Sequence, residues 1–235
     1  MRYPMVRLVP FAALALACSS ESLSNGSPGD SPAPSRPPAS GDGSAEPVGV
    51  GFGALEYPDG PYGRDVGSVI ENLSFLGWRE PAESGYDIGR FDTVRLSDFY
   101  NPGGTRNDVR VIVVNASAVW CTVCRAEYRH IQSSDIYARY RPEGVEILGV
   151  LFEDRNYGPA RPEDLRDWAG PDGYGIEFPF VLDPGFKIGV YFESDATPLN
   201  MVIDATTMQI LDVFMGYNSG DPDAYWTTIQ SWLGG

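Results

Sequence analysis

The sequence predicts an α/β fold, in which a central sheet is flanked by helices. The run at 111–114 is wholly apolar and β-branched, which is typical of a buried central strand. A stretch with apolar or aromatic side chains at Cys124, Tyr128 and Ile131 follows it, and these offsets of four and seven fall on one helical face. Further strand and helix patterns follow to the end of the chain.

The amino end carries the pattern of a secretory signal peptide at 1–17. Arg2 and Arg7 precede the apolar run at 8–17, which as a helix would rise only ~15 Å, too little to cross a hydrocarbon core of ~30 Å. The run ends at Cys18, and its sequence resembles a bacterial lipoprotein signal, which implies lipidation of that cysteine. The alternative is an ordinary secretory signal in which Cys18 is incidental.

The segment after the signal predicts a tether. Residues 19–48 hold nine serines, six prolines and four glycines, so they cannot bury enough surface to offset their ordering entropy. We therefore expect a lipidated cysteine with a flexible Ser/Pro/Gly-rich linker at 18–63 and a folded domain at 64–235. The chain has three cysteines, an odd number, and anchoring through Cys18 would explain why that one has no disulfide partner.

Charge and composition exclude several classes of function. The chain has 17 basic and 32 acidic residues, a net charge of −15, which disfavours binding to a phosphate backbone. His130 is the one histidine, so no site can use two histidine ligands. We expect no nucleic-acid partner.

The remaining elements follow in order along the chain. The patterns at 69–78 and 94–96 predict extra amino-terminal elements, 145–152 a second buried strand, and 162–168 a short helix. The patterns after residue 177 predict an extended piece at 178–182, a helical turn at 186–191, paired strands at 201–204 and 210–215, and a final amphipathic helix at 222–233.

Cys121 and Cys124 lie at the predicted strand-to-helix junction. There Cys121 faces unpaired backbone amides and the positive end of the helix dipole, which favour its thiolate. We expect Cys121 to be the exposed attacking sulfur and Cys124, one turn later, the buried resolving sulfur. A purely structural disulfide would constrain little chain, and a closed zinc site would need two further Cys or His ligands.

These residues resemble the TlpA/ResA-like thiol–disulfide oxidoreductases of the bacterial envelope. The resemblance rests on the motif at 113–127, with Trp120 before the first cysteine, and on Ala-Thr-Pro at 196–198 before an apolar strand. It implies a thioredoxin-like fold, with a central mixed sheet flanked by helices and extra amino-terminal strands. It also implies a cis peptide before Pro198, a substrate-binding edge at Thr197 and Pro198, Trp120 packed beside the sulfurs, and neither cofactor nor metal.

Glu127 is a candidate proton carrier for the resolving cysteine. The resemblance places such a glutamate three residues after the second cysteine, and one helical turn puts it on the face of Cys124. A solvated helix glutamate is the alternative. The family's helix-kinking proline is replaced by Arg129, so residues 133–135 are the place where we expect the helix to bend or restart.

The resemblance implies a lipid-anchored, periplasm-facing enzyme that reduces disulfides of exported proteins, with a membrane electron donor or acceptor. A dithiol oxidase and a tethered binding module without catalysis are the alternatives. Ala118 stands where a peroxiredoxin needs threonine, and the two-residue cysteine spacing differs from that of copper-handling proteins of the Sco type.

Overall fold

A computed structural model describes residues 56–233. The predicted signal peptide, the lipidation of Cys18 and most of the predicted linker lie outside the described residues. The described chain contacts the fold before residue 64, because the Tyr57 hydroxyl donates a 2.9 Å hydrogen bond to the carbonyl of Ile70.

A seven-stranded mixed sheet forms the centre of the fold, in the order β2-β1-β5-β4-β3-β6-β7. The strands β3, β4 and β5 are parallel, and the pairs β1/β2, β1/β5, β3/β6 and β6/β7 are antiparallel. Their bounds are β1 Ser74–Trp78, β2 Asp92–Arg95, β3 Val111–Ala118, β4 Val145–Glu153, β5 Phe180–Leu182, β6 Leu199–Asp204 and β7 Ile210–Met215.

Five α-helices accompany the sheet in the described residues. They are α1 Pro81–Ser84, α2 Thr122–Ser133, α3 Ile136–Tyr140, α4 Pro162–Ala169 and α5 Ala224–Leu233. A 3₁₀-helix at Lys187–Tyr191 corresponds to the predicted helical turn. The predicted α/β class, mixed sheet and extra amino-terminal strands are confirmed, whereas the first predicted strand is shorter because regular pairing begins only at Ser74.

The core lies on both faces of the central strands. All eight residues of β3 are buried, and so are the first eight of β4, because helices or loops cover each face. This burial explains why both strands are mostly apolar rather than alternating, with Asn115, Ser117 and Glu146 as their buried polar residues.

The first long helix stops where the sequence predicts a break. The helix α2 runs to Ser133 without interruption at Arg129, and α3 begins at Ile136. Between them Asp135 has a left-handed backbone, with φ of 49°, which ends one helix and redirects the next. The interval at 133–135 therefore takes the place of the missing proline.

None of the helices within residues 56–233 is long and apolar enough to cross a membrane.

Candidate active site

The two cysteines of the motif form a disulfide at the start of α2, with Cα atoms 5.3 Å apart. Cys121 is the N-cap residue, and its sulfur accepts a 3.0 Å hydrogen bond from the backbone N–H of Cys124. That N–H is one of the donors that a helix start leaves without an intrahelical partner. The junction therefore presents a donor and the positive end of the helix dipole to Cys121, as predicted from the sequence.

Both sulfurs are nearly inaccessible in this disulfide form. Cys121 is 3% exposed and Cys124 is 0% exposed, so the expectation of an exposed Cys121 is wrong for this state. The physical reason is the neighbouring edge, where the Thr197 hydroxyl lies 3.1 Å from the Cys121 sulfur and donates to it. The two cysteines therefore differ by their place in the helix rather than by burial.

The Thr197–Pro198 peptide is cis and precedes β6 directly. The carbonyl of Pro198 accepts a 2.7 Å hydrogen bond from the N–H of Gly216. Within residues 56–233, by contrast, the backbone N–H and C=O of Thr197 have no hydrogen-bond partner. This arrangement leaves one residue of backbone beside Cys121 free to pair with another extended chain.

Glu127 is buried behind the cysteine pair, with 2% of its surface exposed. Its two carboxylate oxygens each accept a 2.7 Å hydrogen bond, one from the side-chain amide of Asn115 and one from that of Asn200. The Asn115 amide also donates to Asn200 at 2.7 Å, and Ser117 donates to the Asn115 oxygen at 3.0 Å. The solvated alternative for Glu127 is therefore wrong.

Burial raises the pKa of Glu127 from its ordinary value of 4.5 to about 7, while the hydrogen bonds from Asn115 and Asn200 oppose the rise. Burial disfavours the charged carboxylate, and the two amide donors favour it. A carboxyl with this pKa exchanges its proton near neutral pH, which is the range in which thiols react.

The sheet register explains how three distant residues meet. Asn115 of β3 lies directly opposite Asn200 of the antiparallel strand β6. Residues opposite one another project from the same face of the sheet, and here that face receives Glu127 from α2. The sequence reasoning missed Asn200, although a polar residue inside an apolar strand, two positions after Pro198, was the available signal.

Trp120 packs against the core and also contacts the loop after β4. Its indole N–H donates a 2.7 Å hydrogen bond to the carboxylate of Glu153, and its ring lies 5.0 Å from that of the exposed Tyr157. Trp120 is half-buried, next to the first cysteine. The contact with Glu153, at the end of β4, was not predicted.

A cavity of about 570 Å³ adjoins the buried carboxyl. Glu127 and Asn200 line it together with Tyr217 and Tyr225. The Tyr225 hydroxyl is buried and has no hydrogen-bond partner among the described residues. A buried polar group of this kind is commonly satisfied by water, for which the cavity has room.

Residues 56–233 contain no group of three or more His, Cys, Asp or Glu side chains arranged to hold a metal ion.

Comparison with known proteins identifies the family. The model of the AhpC/TSA family matches residues 85–209, more than half of the 235-residue chain. The thiol-disulfide oxidoreductase ResA of Oceanobacillus iheyensis is 40% identical over 61 residues, which cover 26% of this chain and 27% of that protein. ResA of Bacillus anthracis is 24% identical over 93 residues, covering 40% and 48%. The chain thus spans between about a quarter and a half of these relatives' length.

Solved structures of low sequence identity share the fold. A DsbE-type thiol:disulfide interchange protein of Chlorobium tepidum superposes with a TM-score of 0.53 at 19% identity, over 73% of this chain and 99% of that one. A protein of Bacteroides thetaiotaomicron described as a disulfide isomerase gives 0.51 at 20% identity, over 73% and 91%. These matches establish that the chain belongs to the AhpC/TSA family and has a thioredoxin-like fold, with similarity to ResA oxidoreductases over part of its length.

Proposed function

We propose that the protein is a thiol–disulfide oxidoreductase whose working group is the Cys121–Cys124 pair. One observation carries the proposal: the disulfide closes at a helix start, beside the unpaired backbone of Thr197 and in front of the buried Glu127. A disulfide that served stability alone would need none of these neighbours. The names of the relatives support the same chemistry.

The proposed exchange begins from the reduced pair. The Cys121 thiolate attacks one sulfur of a substrate disulfide, so a mixed S–S bond forms, the substrate S–S bond breaks, and the other substrate sulfur leaves as a thiolate that takes a proton from water. Cys124 then attacks Cys121 and releases the second substrate sulfur. Two electrons pass to the substrate, and a partner dithiol must return them to the pair.

Glu127 is the proposed acceptor of the Cys124 proton. It lies one helical turn after Cys124 on the buried face of α2. With a pKa of about 7 it is partly ionised at neutral pH, and it can therefore take the proton when Cys124 attacks and return it later. Asn115 and Asn200 hold the carboxylate in place during both steps.

The substrate side of the site is formed by the Thr197–Pro198 edge and Trp120. A substrate segment in extended conformation pairs with the free backbone of Thr197, which brings its disulfide to Cys121. The substrates are disulfide-bonded exported proteins, and the redox partner is a membrane electron donor. Reduction is the proposed direction, by analogy with the ResA relatives.

We propose that the protein works at the outer face of a bacterial membrane, anchored through lipid on Cys18. The signal-like sequence at 1–17 and the Ser/Pro/Gly-rich segment that follows support this location. Mass spectrometry of the mature amino-terminal peptide tests it. A diacylated Cys18 is expected, and an unmodified cysteine or a cleavage site elsewhere would overturn the anchor.

The enzymatic proposal is tested by counting thiols and by following insulin reduction. We expect the purified protein to gain two reactive thiols when dithiothreitol opens the disulfide, and to accelerate insulin precipitation. Cys121→Ser and Cys124→Ser should each abolish the acceleration. A wild-type protein that binds disulfide substrates but reduces none would favour the tethered binding module instead.

A further inference from the structure

A hollow of about 420 Å³ opens beside the disulfide, and its lining is separate from that of the Glu127 cavity. Thr197 and Trp120 both line it. We call it the Thr197 groove. A polypeptide that crosses the Thr197 edge to reach Cys121 must pass over this groove, so its lining meets the residues that flank a substrate disulfide.

Three phenylalanines form the apolar wall of the Thr197 groove. Their rings contact one another, with centroids 4.7 Å apart for Phe152 and Phe186, 5.7 Å for Phe152 and Phe192, and 5.4 Å for Phe186 and Phe192. Phe186 remains 43% exposed. Phe152 is buried and Phe192 half-buried, so Phe186 offers most of the exposed apolar surface of this wall. An exposed aromatic ring supported by two others is suited to bury a large apolar side chain of a partner.

Three carboxylates complete the lining: Glu153, Glu193 and Asp195. Within the described chain none of them takes part in a salt bridge, and no arginine, lysine or histidine lines the groove. Glu153 is oriented by the indole N–H of Trp120. The groove therefore concentrates negative charge beside the site without an internal counter-ion.

The nearest cations in the sequence, Lys187 and Arg155, do not line the groove. Lys187 follows Phe186, but its ammonium group donates to the carbonyl of Ser74 and lies 4.7 Å from the ring centre of Phe75. Arg155 lines a separate hollow. The negative potential of the groove is thus left for a partner to neutralise.

We propose that the Thr197 groove selects substrate polypeptides that carry a lysine or arginine beside a large apolar residue, within a few positions of the disulfide. The inference rests on the proposed thiol–disulfide exchange and names its substrate class. The cation lies among Glu153, Glu193 and Asp195, and the apolar side chain packs on the phenylalanine wall. Complementary charge raises the rate of productive encounter, and a carboxylate at the same position is repelled.

The test uses three peptides that share one intramolecular disulfide and one leucine and differ in a single flanking residue, lysine, glutamine or glutamate. The reduced full-length protein is mixed with each, and the rate of disulfide exchange is measured at low and at high ionic strength. We expect the lysine peptide to react about tenfold or more faster than the glutamate peptide at low salt, with a ratio that shrinks at high salt.

Two double variants assign the effect to the groove. Glu193→Gln with Asp195→Asn should reduce the lysine-to-glutamate rate ratio by about threefold or more. Glu143→Gln with Glu163→Gln makes the same change of net charge at exposed positions outside the groove and should leave the ratio as in the wild type.

The outcomes separate a failure of the proposed charge selection from a failure of the proposed thiol–disulfide exchange. Equal rates for the three peptides, with ready exchange of the glutamine peptide, would overturn the charge selection and leave the oxidoreductase intact. An undiminished ratio in the groove variant would overturn the assignment to Glu193 and Asp195. If no peptide is reduced at all, the proposed function itself fails.

Discussion

Glu127→Gln should change how the stability of the oxidised protein depends on pH. The folded-state pKa of Glu127 is about 7, above its ordinary value of 4.5. Between these values the folded protein keeps a proton that the unfolded chain has released. The folded state is therefore penalised progressively as pH rises from about 4.5 to about 7, and the penalty is constant above that range.

The size of the effect follows from the shift. One pKa unit corresponds to about 1.36 kcal/mol, so a rise from 4.5 to about 7 corresponds to a loss of about 3 kcal/mol across the interval. The glutamine side chain of the Glu127→Gln variant cannot ionise, so the variant lacks this pH-dependent loss. The new amide group also faces the amide donors of Asn115 and Asn200, which lowers stability at every pH alike. The informative quantity is thus how the free energy of unfolding changes with pH in the variant compared with the wild type, and not its value at one pH.

Urea unfolding between about pH 4.5 and 8 measures that slope. We expect the stability of Glu127→Gln relative to wild type to improve by about 3 kcal/mol from the acid to the alkaline end. Glu143→Gln, at an exposed glutamate outside the site, is the matched control and should follow the wild-type curve. Parallel curves for the wild type and Glu127→Gln would refute the raised pKa and with it the proton-carrier role.

Three further substitutions test a neighbour of this carboxyl, a neighbour of Cys121 and the packing of the core. Asn200→Leu removes one donor to the buried carboxylate of Glu127 and should raise the pKa of Glu127 by about 1 to 2 units. Carbon NMR titration measures this pKa, and an unchanged value would show that the hydrogen bond does not stabilise the carboxylate. Thr197→Val removes the hydroxyl donor to the Cys121 sulfur and should slow alkylation of the reduced protein by iodoacetamide at neutral pH by up to about tenfold. Equal alkylation rates would contradict a role for the hydroxyl. Gly149→Ala would place a Cβ against the ring of Phe180 and should lower the free energy of unfolding by about 1 to 3 kcal/mol. Wild-type stability in urea unfolding would show that Phe180 can shift to accommodate the methyl group at no cost.

The main strands and the redox pair could be predicted because each depends on residues that are close together in the sequence. The apolar run at 111–114 and the strand pattern at 145–152 fall inside β3 and β4, and the cysteine spacing places both sulfurs at one helix start. The helix break at 133–135 could also be predicted, because the side chains of small polar residues there compete with the helix for backbone hydrogen bonds.

The rest of the site depends on contacts between distant parts of the chain. Asn200 reaches Glu127 only because β6 pairs with β3 in a register that places it opposite Asn115, and no local pattern specifies that register. The near-complete burial of Cys121 likewise comes from Thr197, which is 76 residues away in the sequence. The short helix α1 was missed because four residues are too few to establish a helical period.

Equilibrium titration in thiol–disulfide buffers shows whether Cys121 and Cys124 form a reversible redox pair. Tryptophan fluorescence reports the state of the pair, because Trp120 adjoins Cys121. We expect one reversible two-electron transition, absent from Cys121→Ser, at about −270 mV or lower for a reductant. A midpoint near about −120 mV would reverse the proposed direction, and a disulfide that shows no reversible transition would contradict the proposed thiol–disulfide exchange itself.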